Sequence, residues 1–220
     1  MILSKGFPME EQNTLSELTD ISRRLMAISN DALLYTKDRF DRERFLEVRS
    51  IAARILEMSA EGITKERAEE LFEENEGYQT PKIDTRAAVF NEKDEVLLVR
   101  DYDGKWALPG GWCEYDLTIM ENTVKEASEE AGIDVKPVKL VAAHSNKRDR
   151  APKSYFYITR FFILCEKTGG QFRENSETTD ARYFPVDSLP DDLNDHKSSA
   201  DEIRLCLSAL HDDDFEPDID

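Results

Sequence analysis

The stretch LTIMENTVKEASEEAGI, residues 117–133, brings Glu126, Glu129 and Glu130 together on what reads as a single helix. At roughly 100° per residue, spacings of three and four residues place carboxylates one turn apart on one flank, where like charges destabilise a helix by a few tenths of a kcal/mol. Acidic helix faces are usually no more than solvated surface. Gathered against their own repulsion, however, such oxygens are a hard donor set suited to Mg²⁺, with Mn²⁺ as the alternative. Mg²⁺ takes about six oxygens and shares its coordination with substrate phosphates.

Local signals define the element that carries them. Thr118 and Glu121 have the spacing of a capping box, and Gly132 sits where a left-handed residue ends a helix. Met120, Val124, Ala127 and Ala131 form a narrow apolar stripe predicted to face a sheet, which leaves the glutamates on an exposed flank. Before this helix, TRAAVF and EVLLVR read as strands joined by the polar turn NEKD into a hairpin, and WALPGGW as a loop. After it, YFYITRFFIL (155–164) and ARYF read as strands. SSADEIRLCLSAL reads as a closing helix with a second capping box at Ser199 and Glu202. The final HDDDFEPDID reads as a frayed acidic tail.

The N-terminal third has a different period. Leu15, Leu18, Ile21, Leu25 and Ile28, then Phe45, Ile51, Ile55 and Leu56, recur at helical spacing, and Thr64 opens a third helix. EGYQTPK (76–82) breaks the pattern with Gly77 and Pro81. The predicted organisation is a small all-helical domain at 1–78, an α+β domain with a mixed sheet at 79–212, and the tail at 213–220. The helical stripes carry more apolar surface than three short helices bury among themselves, which predicts a homodimer.

The whole chain narrows the chemistry further. With 220 residues there is room for one sizeable core, or for a core and a small second unit. A formal net charge of −18 disfavours long nucleic acid and anionic membrane as partners, but not a small phosphorylated ligand. Three widely spaced cysteines suggest neither a disulfide framework nor a zinc site, and point to a reducing cytoplasm. No apolar stretch is long enough to span a bilayer.

The frame around the glutamates resembles the Nudix hydrolase family, whose box is G-x5-E-x7-R-E-U-x-E-E-x-G-U, with U aliphatic. From Gly111, this chain supplies Glu126, Ala127, Glu129, Glu130, Gly132 and Ile133 at matching positions, and WALPGG is similar to the usual lead-in. Two positions depart: Leu117 replaces the first glutamate and Lys125 the arginine, which keeps the charge but loses a planar bidentate fork. Glu114 and Asp116 are the loop acids available in place of the missing carboxylate. The resemblance covers about residues 83–210. It implies an α/β/α sandwich, Glu126, Glu129 and Glu130 as metal ligands, and a further loop glutamate as ligand or base. Glu177 is the choice for that role, with Glu174 next and Glu129 as a second catalytic candidate.

The helical segment ISNDALLYTKDRFDRERFLEVRSIAARILE is also similar to the domain preceding one branch of that family. That branch acts on nucleoside diphosphates linked to another moiety, such as ADP-ribose or CDP-choline. The implied substrate is a small nucleotide. Candidate substrate contacts are Gly111; Lys147, Arg148 and Arg150 in HSNKRDR; Arg86 and Arg100 near the metal helix; and Trp106, or Trp112 and Tyr155, as aromatic surfaces. The departures at Leu117 and Lys125 leave open a rival reading, a nucleotide-sensing or partner-binding protein that keeps the fold with weakened catalysis.

Overall fold

The structure, a computed structural model, describes residues 9–60, 62–146 and 155–220. It separates into two units, one of residues 1–81 with 147–157 and one of residues 82–146 with 158–220.

The first unit is built from α1 (Met9–Tyr35), α2 (Arg39–Ser59) and α3 (Lys65–Glu74). Asp38 caps α2 through the amides of Phe40 and Asp41, and Thr64 caps α3 through Arg67. Met26, Ala52, Ala53, Leu56, Ala68 and Phe72 form its core, with Tyr155 and Phe156 packed against them. The inward face of α1 is largely polar. Ser22 Oγ donates to Ala52 O at 2.6 Å, Ser29 Oγ to Phe45 O at 2.6 Å, and Asn30 Nδ2 to Phe72 O at 3.0 Å. Small residues let the two backbones approach closely, and the apolar stripe read along α1 divides: Leu25 packs on the core while Ile21 and Ile28 point outward. Ile21 and Ile28 are each 43% exposed, and Ile51 on α2 is 50% exposed.

The second unit contains two sheets. The first is mixed and runs β1 (Lys82–Val89), β5 (Ile158–Gly170), β4 (Ile133–Ser145), β7 (Asp218–Ile219); the second is antiparallel and runs β3 (Trp106–Ala107), β2 (Glu95–Asp101), β6 (Thr178–Pro185). Successive side chains of a strand point to opposite faces. Accordingly Ala87, Leu97 and Ile163 join one core cluster with Ala127 and Ala131 of α4 (Ile119–Ala131). Their neighbours Ala88, Leu98 and Phe162 join another with Ile203, Cys206 and Ala209 of α5 (Ala200–His211). Helices therefore cover both faces of the sheets, the α/β/α arrangement that the resemblance implies.

Four local readings change. The turn after β1 forms, with Asn91 N donating to Glu95 O at 3.0 Å, but β1 and β2 share only the bridge Phe90–Val96. They enter different sheets, β1 pairing in parallel with β5 and β2 antiparallel with β6, so this is a corner and not a hairpin. Their near-continuous burial explains it: strands covered on both faces take partners from distant sequence. The strand read at 155–164 begins only at Ile158 and runs to Gly170. β4 was hidden in the sequence because irregularities at Asp134/Val135, Pro137/Lys139 and Leu140/Ala142 break its alternation. Lastly, the acidic tail does not fray. Asp218 and Ile219 pair in parallel with Ala142 and Ala143, Asp218 takes His144 Nε2 at 3.0 Å, and Asp220 accepts from Ser145 N at 2.8 Å. Among the described residues, no helix is long and apolar enough to cross a membrane.

Candidate functional site

Helix α4 starts and stops where its sequence dictates. Thr118 and Glu121 form the reciprocal capping box, and Gly132 closes the helix at φ 66°. Ala127 and Ala131 are buried in the core, while Met120 is 39% exposed. Asn122 Nδ2 donates to Thr85 Oγ1 at 2.8 Å and ties the helix to β1. The carboxylate flank is not exposed as a whole: Glu126 and Glu130 are each only 6% exposed, and Glu129 alone faces solvent.

What buries them is the glycine lead-in. Ala87 N donates to Pro109 O at 2.8 Å and Thr85 N to Gly111 O at 2.9 Å, so the loop lies along the edge of β1. Gly110, at φ 150°, then directs its amide onto Glu130 Oε2 at 2.7 Å. A Cβ at Gly110 would stand 1.9 Å from Thr85 O, and one at Gly111 would stand 2.9 Å from Glu126 Oε2. Both glycines are needed, one for the backbone and one for the carboxylate.

Burial pushes Glu130 up to about 7, with Glu126 adding to the rise; the Gly110 amide and the charges of Arg86 and Lys197 oppose it. Glu126 is raised as well, mainly by burial and further by Glu129 and Glu177, against the pull of Lys125. Carboxylates are hard oxygen donors of the kind that suit a divalent cation. Glu129 is turned toward Lys125 Nζ at 2.6 Å. Among the described residues, no three acidic, histidine or cysteine side chains are drawn together tightly enough to hold an ion. Glu126 and Glu130 are the two buried carboxylates at the glycine loop, and Glu129 stands at its exposed rim.

Glu177 is brought to the same end of α4 by contacts that sequence reading missed. Thr178 Oγ1 donates to Glu130 O at 2.6 Å, and Asn175 Oδ1 accepts from the amides of Glu177 at 2.8 Å and Thr178 at 2.9 Å. An Asx turn is legible in NSET as a local motif, but its attachment to Glu130 is not. Arg173 and Glu174 of the same loop line a cleft with Ser128 and Glu129.

The other candidates divide. Gly111 lies against Glu126. Arg86, 3% exposed, is spent inside the fold: Nε and Nη2 grip Asp84 at 2.8 and 2.5 Å, and Nη1 donates to Leu108 O at 3.3 Å. It acts on Glu130 through its charge and does not present itself to a phosphate. Trp106, 5% exposed, packs edge-on to Phe184 in the core and offers no stacking face. Arg100 is half-exposed, with Nε on Gly104 O at 3.0 Å and Nη2 3.5 Å from Asp192. Lys147, Arg148 and Arg150 lie outside the described residues.

Comparisons with known proteins bear on both units. A family model described as the NUDIX domain matches residues 80–205, and one described as "UDP-X-like, N-terminal oligomerisation domain" matches residues 16–72. YjhB of Bacillus subtilis, named as a putative ADP-ribose pyrophosphatase, is 39% identical over 195 residues, covering 86% of this chain and 90% of that protein. The crystal structure of an ADP-ribose pyrophosphatase from Streptococcus suis aligns with TM-score 0.59 and 45% identity, over 64% of this chain and all of that one (100%). That of a UDP-X diphosphatase aligns with TM-score 0.58 and 30% identity, over 94% of this chain and 99% of that one. With its buried glutamate pair behind paired glycines, its two-faced sheet core and matches along both units, the chain belongs to the Nudix hydrolase family.

Proposed function

We propose that this Nudix hydrolase is a Mg²⁺- or Mn²⁺-dependent pyrophosphohydrolase of nucleoside diphosphates linked to a second moiety, ADP-ribose foremost, acting in the cytoplasm as a homodimer. The observation that carries the reading is the burial of Glu126 and Glu130 side by side at the glycine loop, next to the tethered Glu177 loop. A divalent cation bound there offsets the charge of the diphosphate and acidifies water. Glu126 and Glu130 would hold that cation. Glu177 would take a proton from water attacking one phosphorus. The bridging P–O bond then breaks, giving a nucleoside monophosphate and a phosphorylated partner. Glu129, engaged by Lys125, is the less available base.

The substrate class is supported by the relatives named above and by charge. At −18 overall, a long polyanion is repelled at a distance, whereas a compact diphosphate needs only a few local donors. The homodimer is supported by the outward apolar side chains of α1 and by the oligomerisation-domain match.

The test is product analysis with ADP-ribose, CDP-choline, UDP-linked sugars and single-stranded RNA at matched phosphate, in about 0.15 M salt, where long-range repulsion is partly screened. Cleavage of a diphosphate-linked compound with Mg²⁺ and none with chelator is the expected result. Higher kcat/KM on RNA than on every such compound would refute the substrate class. Absence of any product would return the molecule to a sensing role.

A further inference from the structure

Lys125 stands where the family's box has arginine, and Leu117 where it has its first glutamate. In the fold, Lys125 Nζ lies 2.6 Å from Glu129, 3.1 Å from Glu114 and 3.3 Å from Glu126. Helix geometry alone does not dictate this. A lysine N-terminal to a glutamate at i, i+4 is the weaker orientation of that pair, and adjacent residues such as 125 and 126 do not face each other. The third partner comes from the loop, and that loop is tied down: Glu114 N donates to Asn122 Oδ1 at 3.2 Å, and Glu114 O accepts from Leu117 N at 3.2 Å. An ammonium has three donors, and three carboxylates surround it. Unlike an arginine fork, which locks one carboxylate bidentately, a compact ammonium can move among its partners.

We propose that Lys125 is a mobile counter-ion that competes with the divalent cation for Glu126, and that Glu114 is a positioning residue that, with Glu129, holds it at the rim. The proposal rests on the reading of Glu126 and Glu130 as the cation's ligands. Before loading, the ammonium relieves repulsion among the carboxylates. A cation held at Glu126 would repel it, and Glu114 with Glu129 gives it a place to go. Leu117 offers no such seat, so the acid at 114 does what the box's first position does not.

Mn²⁺ alone is the probe, titrated into the full chain without substrate and followed by the spin-resonance signal of free Mn²⁺. Lys125→Met is expected to tighten binding on the order of tenfold, from removal of one unit charge at contact distance in a partly screened setting. Lys125→Gln, a second replacement in case the first fails to fold, should act the same way. Glu114→Gln should weaken binding about threefold by leaving the ammonium wholly on Glu126 and Glu129. In the Lys125→Met background, Glu114→Gln should change binding by less than about twofold, because its effect is routed through the lysine. Both lysine variants binding like wild type, or Glu114→Gln acting equally in both backgrounds, would overturn the proposal. If wild type binds no Mn²⁺, or Glu126→Gln/Glu130→Gln binds it as wild type does, the ligand reading itself fails, and this proposal with it.

Discussion

Glu130 and Glu126 carry a conflict between solvation and purpose: a carboxylate that must be ionised to hold a cation sits where ionisation is disfavoured. Replacing either by Gln keeps shape and removes charge. Each variant is expected to lose turnover by orders of magnitude at saturating Mg²⁺ while its melting temperature stays near wild type or rises; near-wild-type kcat in both would remove them from the metal site. The conflict also has a pH signature. Glu130 ionises near 4.5 when unfolded and near 7 when folded, so between these values the folded chain binds more protons than the unfolded one. Stability conferred by this residue is therefore fully present at low pH and is lost as pH rises from about 4.5 through 7. Urea unfolding in chelator should show Glu130→Gln gaining on wild type between about pH 4.5 and 7, and parallel pH slopes across that range would contradict the assignment.

At the scale of elements, the glycine loop and α4 are one device. Two adjacent glycines in it are required for unlike reasons, which makes their alanine variants informative. Gly110→Ala drives a Cβ into Thr85 O on β1 from a φ of 150°, a backbone collision that no side chain can relieve. It is expected to cost several kcal/mol of stability, as strained backbone and overpacking do. Gly111→Ala meets only the end of the Glu126 side chain, which can swing aside. That variant should fold with less than about 1 kcal/mol lost, yet fall roughly 100-fold in turnover, the scale of effect for an ångström of misplacement. Denaturation midpoints and kcat on the same preparations decide it, and equal stability of the two variants would show the clash to be illusory.

For the whole molecule, the open question is what covers α1. Its inward face closes on α2 through Ser22 and Ser29, leaving Ile21 and Ile28, one heptad apart, at the surface. An apolar stripe so placed is expected to pair with a second copy. Sedimentation of the full chain at micromolar concentration should give a dimer, and Ile21→Glu with Ile28→Glu should give a folded monomer. A monomeric wild-type chain would end the dimer reading.

How much of this was written in the sequence depends on the range of the interaction. Helix α4, its capping box, its terminating Gly132, the closing helix at Ser199 and the glutamate register were all legible, because each is set by contacts within about one turn. Periodicity likewise separated a helical N-terminal part from a β-rich remainder. Only the tertiary structure decided that Glu126 and Glu130 are buried while Glu129 is not, since burial depends on Gly110 and Gly111 arriving from another segment. Only it assigned Arg86 and Trp106 to the interior, sent β1 and β2 to different sheets, and docked the acidic end on β4 through His144. Those outcomes rest on partners tens of residues away, where burial and charge pairing outweigh the local propensities that a sequence displays.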